Sequence, residues 1–541
     1  MIKMRRPIPF LFLFFFTFAA LYSFHPFPVE EPYISADAVF DAQIARNILL
    51  DGELGWPATL QPPLQAILAT LIYPFKKNIL ISGIIISKFM FLLLPLAVYL
   101  LAKELFSKKI AFFSMALSFF HPHFFYASQT MEPTVTYTTL LTFALFFSWR
   151  AYSRSNILSA IPAGIFFSLA WLSRSEGFLI LLFIILSFSF LLFRKRALLE
   201  KSIKIKKVFL LITLLLSFFI LSSPYLVFLK NTYGKLVFSP KASYVQIWMK
   251  WRIYRDNNYG EIGNEELWGL NEQGKLKWQE PKGIGDLLSY LASHPKKSVK
   301  VYLTNLSSEI PGRIGGASGQ ENYPQVYPFY FFIPALIWIL YVIRKKKEGE
   351  KLLFILSPFL LLLILPVYTH GWWKYLAPYS PLIIVMAVAG LSNIFEDLKI
   401  NYALPLYTAL IILFAISVTR ALPSAERKSD YAQSKASFAE AAKSAGKYAQ
   451  KQFKGSPNYM VQWLKLTYYL DGRWTAMPVT SFSRMIEYAR NKNVDYLVFE
   501  GPSDKWEREL IQVMKFRRLE PAGIYRSDKI DYRVLFFKLN K

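Results

Sequence analysis

The feature that most constrains this chain is a series of apolar runs, each roughly 17–22 residues long, the length a helix needs to cross the ~30 Å hydrocarbon layer of a bilayer. Of its 541 residues, 54% are hydrophobic and only 18% are charged. The sequence therefore predicts a mainly α-helical, polytopic membrane protein. Its transmembrane helices, about eleven in number, are expected at 8–25, 79–102, 110–127, 134–149, 157–172, 177–193, 208–228, 327–343, 352–367, 378–394 and 403–419.

Lysine and arginine residues alternate with these runs in a way that predicts the topology. With the N-terminus inside, basic clusters such as 3–6, 194–207 and 344–351 fall on the inner side, and the short outer loops carry few basic residues. Basic residues collect on the cytoplasmic side of membrane proteins. The net charge of +27 therefore needs no nucleic-acid partner. No small-residue cleavage site follows the first run, which favours an uncleaved helix over a signal peptide.

Three polar regions are then expected outside the membrane, at 26–78, 229–326 and 421–541. In the first, 36–50 has the pattern of an amphipathic helix at the membrane surface, and 64–74 is apolar but too short to span. The last region alternates helix and strand patterns, and strands are expected from Asp495 and Val534. We expect a transmembrane domain over 1–420 and a small extracytoplasmic α/β domain over 421–541.

The second outer region is rich in aromatic residues and leaves two interpretations open. Its tryptophans and tyrosines form either an interfacial aromatic belt or a stacking surface for sugars. The glycine-rich segment 311–319 carries Arg313, which is a candidate phosphate contact, although the segment lacks the Lys-Ser/Thr ending of a P-loop. The region includes Tyr244, Trp248, Trp251, Tyr254, Trp268 and Trp278.

Ionisable residues gather at the predicted outer ends of the spans. Such residues are costly near a membrane and are therefore candidates for function, although ordinary loop charges are the competing interpretation. Carboxylates there suit a general base or a metal, and basic side chains suit a phosphate. The absence of cysteine excludes disulfides and thiolate chemistry. His121 and His123, at i and i+2, do not share a helix face and are unlike a metal pair. The candidates are Asp37, Asp41, Glu132, Arg174, Glu176 and Lys374.

Several motifs resemble the GT-C superfamily of membrane glycosyltransferases, in the branch of the protein O-mannosyltransferases and lipid A aminoarabinose transferases. In order along the chain they are Asp37 with Phe40, Ala45-Arg46-Asn47-Ile48, Pro62-Pro63-Leu64, Glu132, Ser173-Arg174-Ser175-Glu176-Gly177 and Lys374-Tyr375-Leu376-Ala377-Pro378. Two positions depart from the family pattern, because Ala38 replaces a usual Glu and Gln61 a usual Lys or His. The Trp-Trp-Asp motif of oligosaccharyltransferases is absent, since Lys374 follows Trp372-Trp373.

The resemblance implies transfer of a single sugar, with inversion, from a polyprenyl phosphate donor such as dolichyl phosphate mannose to a hydroxyl on a protein, glycan or lipid. It implies Asp37 as base, with Asp41 as substitute, and Glu132 as an orienting acid. Oligosaccharyl transfer and non-enzymatic lipid-sugar flipping remain the alternatives. No metal site is assigned, although a divalent metal remains possible. The implied phosphate contacts are Arg174, Lys374, Arg313 and Arg46, and the implied acceptor or sugar contacts are Glu176, Tyr375 and Trp372.

Overall fold

The computed structural model describes most of the chain. The predicted spans 8–25 and 403–419, the glycine-rich segment with Arg313, and Trp372 lie outside the described residues. The described residues are 35–194, 200–239, 241–254, 267–280, 284–309, 329–345, 348–368, 373–397, 430–461, 464–501 and 519–540.

The chain divides into two compact units. The first contains the described residues within 81–239 and 298–425, and the second contains those within 33–80, 240–297 and 426–541. Segments of the first two predicted outer regions thus fold with the C-terminal region. The predicted domain boundary near residue 420 falls outside the described residues and stays a prediction.

The first unit is helical throughout its described residues, and helices occur at each predicted span that these residues cover. Four helices there are long and apolar enough to cross a membrane: Ile79–Leu105, Glu176–Arg194, Lys201–Tyr233 and Lys374–Asp397. We number its helices α3 (Ile79–Leu105), α4 (Lys108–Phe119), α5 (Pro122–Ser128), α6 (Thr134–Arg154), α7 (Ile157–Ser173), α8 (Glu176–Arg194), α9 (Lys201–Tyr233), α12 (Pro295–Glu309), α13 (Phe329–Lys345), α14 (Gly349–Leu356), α15 (Leu360–Tyr368), α16 (Trp373–Leu376) and α17 (Ser380–Asp397).

Small residues allow these helices to pack closely. A Cβ atom on Gly164 of α7 would clash with the Leu214 carbonyl oxygen of α9, and one on Gly390 of α17 would clash with the Pro334 carbonyl oxygen of α13. The buried hydroxyls of Ser168 and Ser222 lie 2.7 Å apart between α7 and α9. Small residues and interhelical hydroxyl contacts are typical of helix packing in membranes, where apolar burial alone does not favour association.

The predicted single span 110–127 is wrong in one respect, because the structure breaks it between α4 and α5. Pro122 begins α5, where its missing N–H costs nothing, but it disfavours helical geometry in the preceding residue. The span 352–367 is similarly divided into α14, a 3₁₀ turn at Ser357–Phe359 that contains Pro358, and α15.

The second unit is an α/β structure built on a five-stranded sheet of order β2-β1-β3-β5-β4. Strands β1, β2 and β3 are parallel, and β5 runs antiparallel to both β3 and β4. Strands near Asp495 and Val534 are therefore confirmed. The strands are β1 (Asn458–Val461), β2 (Arg473–Ala476), β3 (Tyr496–Gly501), β4 (Leu519–Arg526) and β5 (Arg533–Leu539). The helices are α1 (Ala36–Asp51), α2 (Leu64–Lys76), α10 (Lys241–Tyr254), α11 (Ile284–Ser293), α18 (Asp430–Gln452), α19 (Leu464–Tyr469) and α20 (Phe482–Asn491).

The two short helices expected in the first outer region are both present, as α1 and α2. Helix α1 differs from an amphipathic surface helix, because it buries its polar residues Asp41 and Gln43 as fully as Val39 and Ile44, while Leu49 and Leu50 near its end are exposed. Helix α2 keeps an apolar exposed face, on which Leu71 and Phe75 are 63% and 81% exposed. The interfacial position predicted for 64–74 is therefore compatible with α2, whereas α1 is packed inside its unit.

An aromatic cluster joins three distant segments of the second unit. The Trp56 ring lies 4.5 Å from that of Trp474 and 6.2 Å from that of Trp278, which is also 6.2 Å from Trp268. Phe40 of α1 lies 5.6 Å from Trp474. Both interpretations offered from the sequence are therefore wrong for Trp278, which is fully buried in a protein core, while the partly buried Trp268 packs against that core.

Candidate active site

Arg174 is held at the turn between α7 and α8 in the first unit. Its backbone N–H donates to the Ala170 carbonyl at 2.8 Å and closes α7, and its own carbonyl accepts from Gly177 at 3.0 Å. A Cβ atom on Gly177 would lie 2.7 Å from the Trp171 nitrogen. Glycine at 177 therefore permits the tight turn that directs the Arg174 side chain.

The Arg174 guanidinium lies against a carboxylate and two aromatic rings. It donates to Glu176 Oε1 at 2.9 Å and lies 4.8 Å from the centre of the Tyr375 ring and 5.8 Å from that of Tyr137. The residue is only 7% exposed. A planar guanidinium stacks on aromatic faces while its N–H groups remain directed in its plane. The planar guanidinium also presents a fork of donors of the kind that binds phosphate.

Glu132 and Lys374 adjoin this arrangement along the chain. Glu132 precedes α6, the helix that carries Tyr137, and it is 6% exposed. Lys374 immediately precedes Tyr375 and is partly buried. The first unit therefore brings Arg174, Glu176 and Tyr375 together; Lys374 is the neighbour of Tyr375 in the chain, and Glu132 lies shortly before Tyr137.

Asp37 and Asp41 lie one turn apart on α1 in the second unit. Ser35 begins the helix, and its hydroxyl accepts from the Ala38 N–H at 3.2 Å. An acidic first turn suits the positive end of the helix dipole. Asp37 forms an ion pair with Lys241, the first residue of α10, with an Nζ–Oδ1 distance of 3.8 Å, and Asp41 is completely buried.

Arg46 has partners other than the predicted phosphate. It donates to the backbone carbonyls of Leu470 at 2.7 Å and Tyr468 at 3.1 Å, with longer contacts of 3.4 Å to Thr467 and Gly472. Burial lowers the pKa of Arg46, and the nearby Asp471 acts in the opposite direction. The donors of Arg46 are thus directed at the end of α19, and a phosphate role for it has no support in this geometry.

Two residues of this arrangement were not identified from the sequence. Tyr137 lies in an apolar span and gives no signal of its own, and Lys241 is one lysine among many in a basic region. Within the residues that the structure describes, no group of three His, Asp or Glu side chains is placed to hold a metal ion.

The chain is similar to one protein family and to solved structures of two membrane proteins. Residues 60–228 match the family model described as dolichyl-phosphate-mannose-protein mannosyltransferase. No match was found among curated proteins. An oligosaccharyltransferase from Archaeoglobus fulgidus, tethered with an acceptor peptide containing the NVT sequon, aligns with a TM-score of 0.56 at 15% identity, over 91% of this chain and 69% of that one. ArnT from Cupriavidus metallidurans, bound to undecaprenyl phosphate, aligns with a TM-score of 0.53 at 12% identity, over 98% of both chains.

At these identities the structural matches establish the fold. The family match, over less than half of the chain, covers α2 to α8 and most of α9. It includes Glu132 and Arg174, which are among the residues that carried the resemblance seen in the sequence. The fold expected from the resemblance is thereby confirmed, and the chain has the mainly helical, polytopic membrane fold of the GT-C type.

Proposed function

We propose that this protein transfers a single sugar from a polyprenyl phosphate donor to an acceptor hydroxyl on the outer face of the membrane in which it lies. The observation that carries the proposal is the buried Arg174 guanidinium, held by Glu176 and stacked on Tyr375 and Tyr137. A fixed cation at the end of a membrane helix suits the phosphate of a lipid whose tail lies in the bilayer. The ArnT structure with undecaprenyl phosphate supports a donor of this class.

In the proposed reaction, Asp37 removes the proton of the acceptor hydroxyl. The acceptor oxygen then forms a bond to the anomeric carbon, with inversion, while the bond from that carbon to the phosphate oxygen breaks. The electron pair leaves with the lipid phosphate, and Arg174 and Lys374 stabilise the additional negative charge. Glu132 orients the donor or acceptor, and Glu176 and Tyr375 contact it beside Arg174. The C-terminal α/β region lies outside and contacts the acceptor.

Transfer of a preassembled glycan is the second candidate. The structural match to the A. fulgidus oligosaccharyltransferase favours it, but Lys374 stands where that branch carries the acid of its Trp-Trp-Asp motif. The single-sugar donor therefore remains preferred.

Transfer assays separate these functions. Purified protein in proteoliposomes is incubated with radiolabelled dolichyl phosphate mannose, other polyprenyl phosphate monosaccharides, or a lipid-linked oligosaccharide, together with native membrane and protein extract. We expect label from a monosaccharide donor to appear in an acceptor with an inverted anomeric bond. Label from the oligosaccharide alone would establish glycan transfer, and movement of the lipid-sugar without bond cleavage would establish a flippase. No transfer from any donor by folded protein contradicts the proposal.

A further inference from the structure

Arg46 lies on the face of α1 opposite the two acids. Successive residues of an α-helix are separated by about 100° around its axis. Asp37 and Asp41 therefore lie about 40° apart, and Arg46 lies about 140–180° away from them. The side chain of Arg46 can thus hold the helix without occupying the face on which the carboxylates lie.

The contacts on that opposite face are directed at one end of α19. Arg46 spans the carbonyls of Tyr468 and Leu470, and Gln43 Nε2 donates to the Thr467 carbonyl at 2.9 Å. The final carbonyls of a helix have no partner within it and are favourable sites for a cation. One planar guanidinium that donates to two of these carbonyls restricts both the rotation of α1 about its axis and its movement along it.

We propose that Arg46 is a positioning residue, which fixes the rotation and register of α1 against residues 467–472 and so sets where Asp37 and Asp41 lie. The inference rests on the proposed function, in which Asp37 is the base. On this inference the Ala45-Arg46-Asn47 motif orients Asp37 and Asp41 and does not contact the sugar donor.

The second unit also supplies a matched control. Arg473 of β2 donates to Asp51 at the last position of α1, with an Nε–Oδ2 distance of 2.9 Å. It therefore joins α1 to the residue that directly follows the segment 467–472. This pair is largely exposed, and exposed ion pairs hold geometry weakly. Loss of the Arg473 guanidinium should therefore leave α1 in place.

The kinetic test compares Arg46→Ala with Arg473→Ala in the transfer assay. We expect Arg46→Ala to lower kcat about 100-fold, because a small displacement of reacting groups has that effect. Its KM for the donor should stay close to that of wild type. Arg473→Ala should change neither constant appreciably. A raised donor KM with unchanged kcat in Arg46→Ala would show that Arg46 binds the donor and would overturn the inference, as would wild-type kinetics.

Rescue separates positioning from simple loss of stability. The chain contains no cysteine, so Asp51→Cys and Arg473→Cys can be joined selectively by a flexible bis-maleimide. The cross-link should restore most of the kcat that Arg46→Ala loses, measured against the cross-linked protein with Arg46 intact. A deficit that persists in the cross-linked variant, when that reference is active, overturns the inference.

Hydrogen exchange supplies a readout that does not depend on activity. In Arg46→Ala, the amides of α1 should exchange faster while those of strand β5 do not change. Unchanged exchange in α1 overturns the inference even if no donor is transferred by the wild type. Failure of the proposed function and failure of the positioning role are thus distinguishable.

Discussion

Arg174 and Arg46 are both arginines expected from the sequence to contact the donor phosphate, yet the structure surrounds them differently. Arg174 lies against two aromatic rings and donates a hydrogen bond to the Glu176 carboxylate. Arg46 donates to backbone carbonyls at the end of a helix. An aromatic ring contacts the flat face of a guanidinium, whereas a carbonyl accepts from its in-plane N–H groups. The surroundings of a basic side chain therefore decide between binding a ligand and holding the fold.

The carboxylates near the two arginines differ as well. Glu176 pairs directly with Arg174, whereas Asp37 and Asp41 lie on the face of α1 opposite Arg46. We therefore expect the largest effect from Asp37→Asn, with a loss of kcat of about 10³-fold, typical of removing a general base. The variant should fold and bind donor with unchanged affinity, as measured by transfer rates and donor titration. Asp41→Asn is the matched control and should retain more activity. If Asp37→Asn turns over like wild type while Asp41→Asn does not, the base is Asp41.

Arg174→Ala tests the other half of the comparison. Removing a charge-assisted contact to phosphate should lower kcat/KM about 10²–10³-fold, mainly through a higher donor KM. Arg154→Ala is the control, because Arg154 pairs with Glu104 through two hydrogen bonds in the same unit but is exposed. It should behave as wild type. An unchanged donor KM in Arg174→Ala would remove Arg174 from phosphate binding and leave Lys374 as the candidate.

Trp278→Ala tests whether the second unit depends on its aromatic cluster. Trp278 is fully buried, and replacing a buried Trp by Ala typically costs about 3–5 kcal/mol of unfolding free energy. We expect a clear decrease in Tm by calorimetry of the purified protein. Trp278→Phe keeps a ring, and the indole N–H that it removes has no hydrogen-bond partner among the described residues, so its Tm should fall much less. Equal losses would show that the cluster is not packed as described.

The smallest effect is expected from Asp51→Asn, which removes an exposed partner of Arg473. Hydrogen bonding from Arg473 lowers the pKa of Asp51 in the folded protein. The pair therefore contributes stability above the unfolded Asp pKa of roughly 3.9 and loses it as pH falls through the lowered folded value. Because the pair is exposed, the contribution at neutral pH should be under about 1 kcal/mol. The Tm difference from wild type should be small at neutral pH and decrease further as the pH falls below the unfolded Asp pKa of roughly 3.9; a larger difference in acid would contradict this sign.

Much of the membrane architecture was predictable because the period and length of apolar runs are local properties. Helices such as α3, α8 and α9 follow directly from them. The break before Pro122 could also have been predicted, because proline disfavours helical geometry in the residue before it. The continuous apolar run over 110–127 favoured a single span instead. In the candidate site, the motif Ser-Arg-Ser-Glu-Gly led to Arg174 and Glu176, since both lie within one turn of the chain.

The sequence by itself determined the membrane class of this protein, its helical spans, the strands near Asp495 and Val534, and the acids on α1, because each depends on neighbours a few residues apart. Only the tertiary structure decided that Arg46 donates to α19, that Tyr137 lies against Arg174, that Lys241 pairs with Asp37, and that Trp278 is a core residue. Each of these contacts joins segments far apart in the chain. Apolar periodicity indicates that a residue is buried, but it does not indicate which distant side chain that residue contacts.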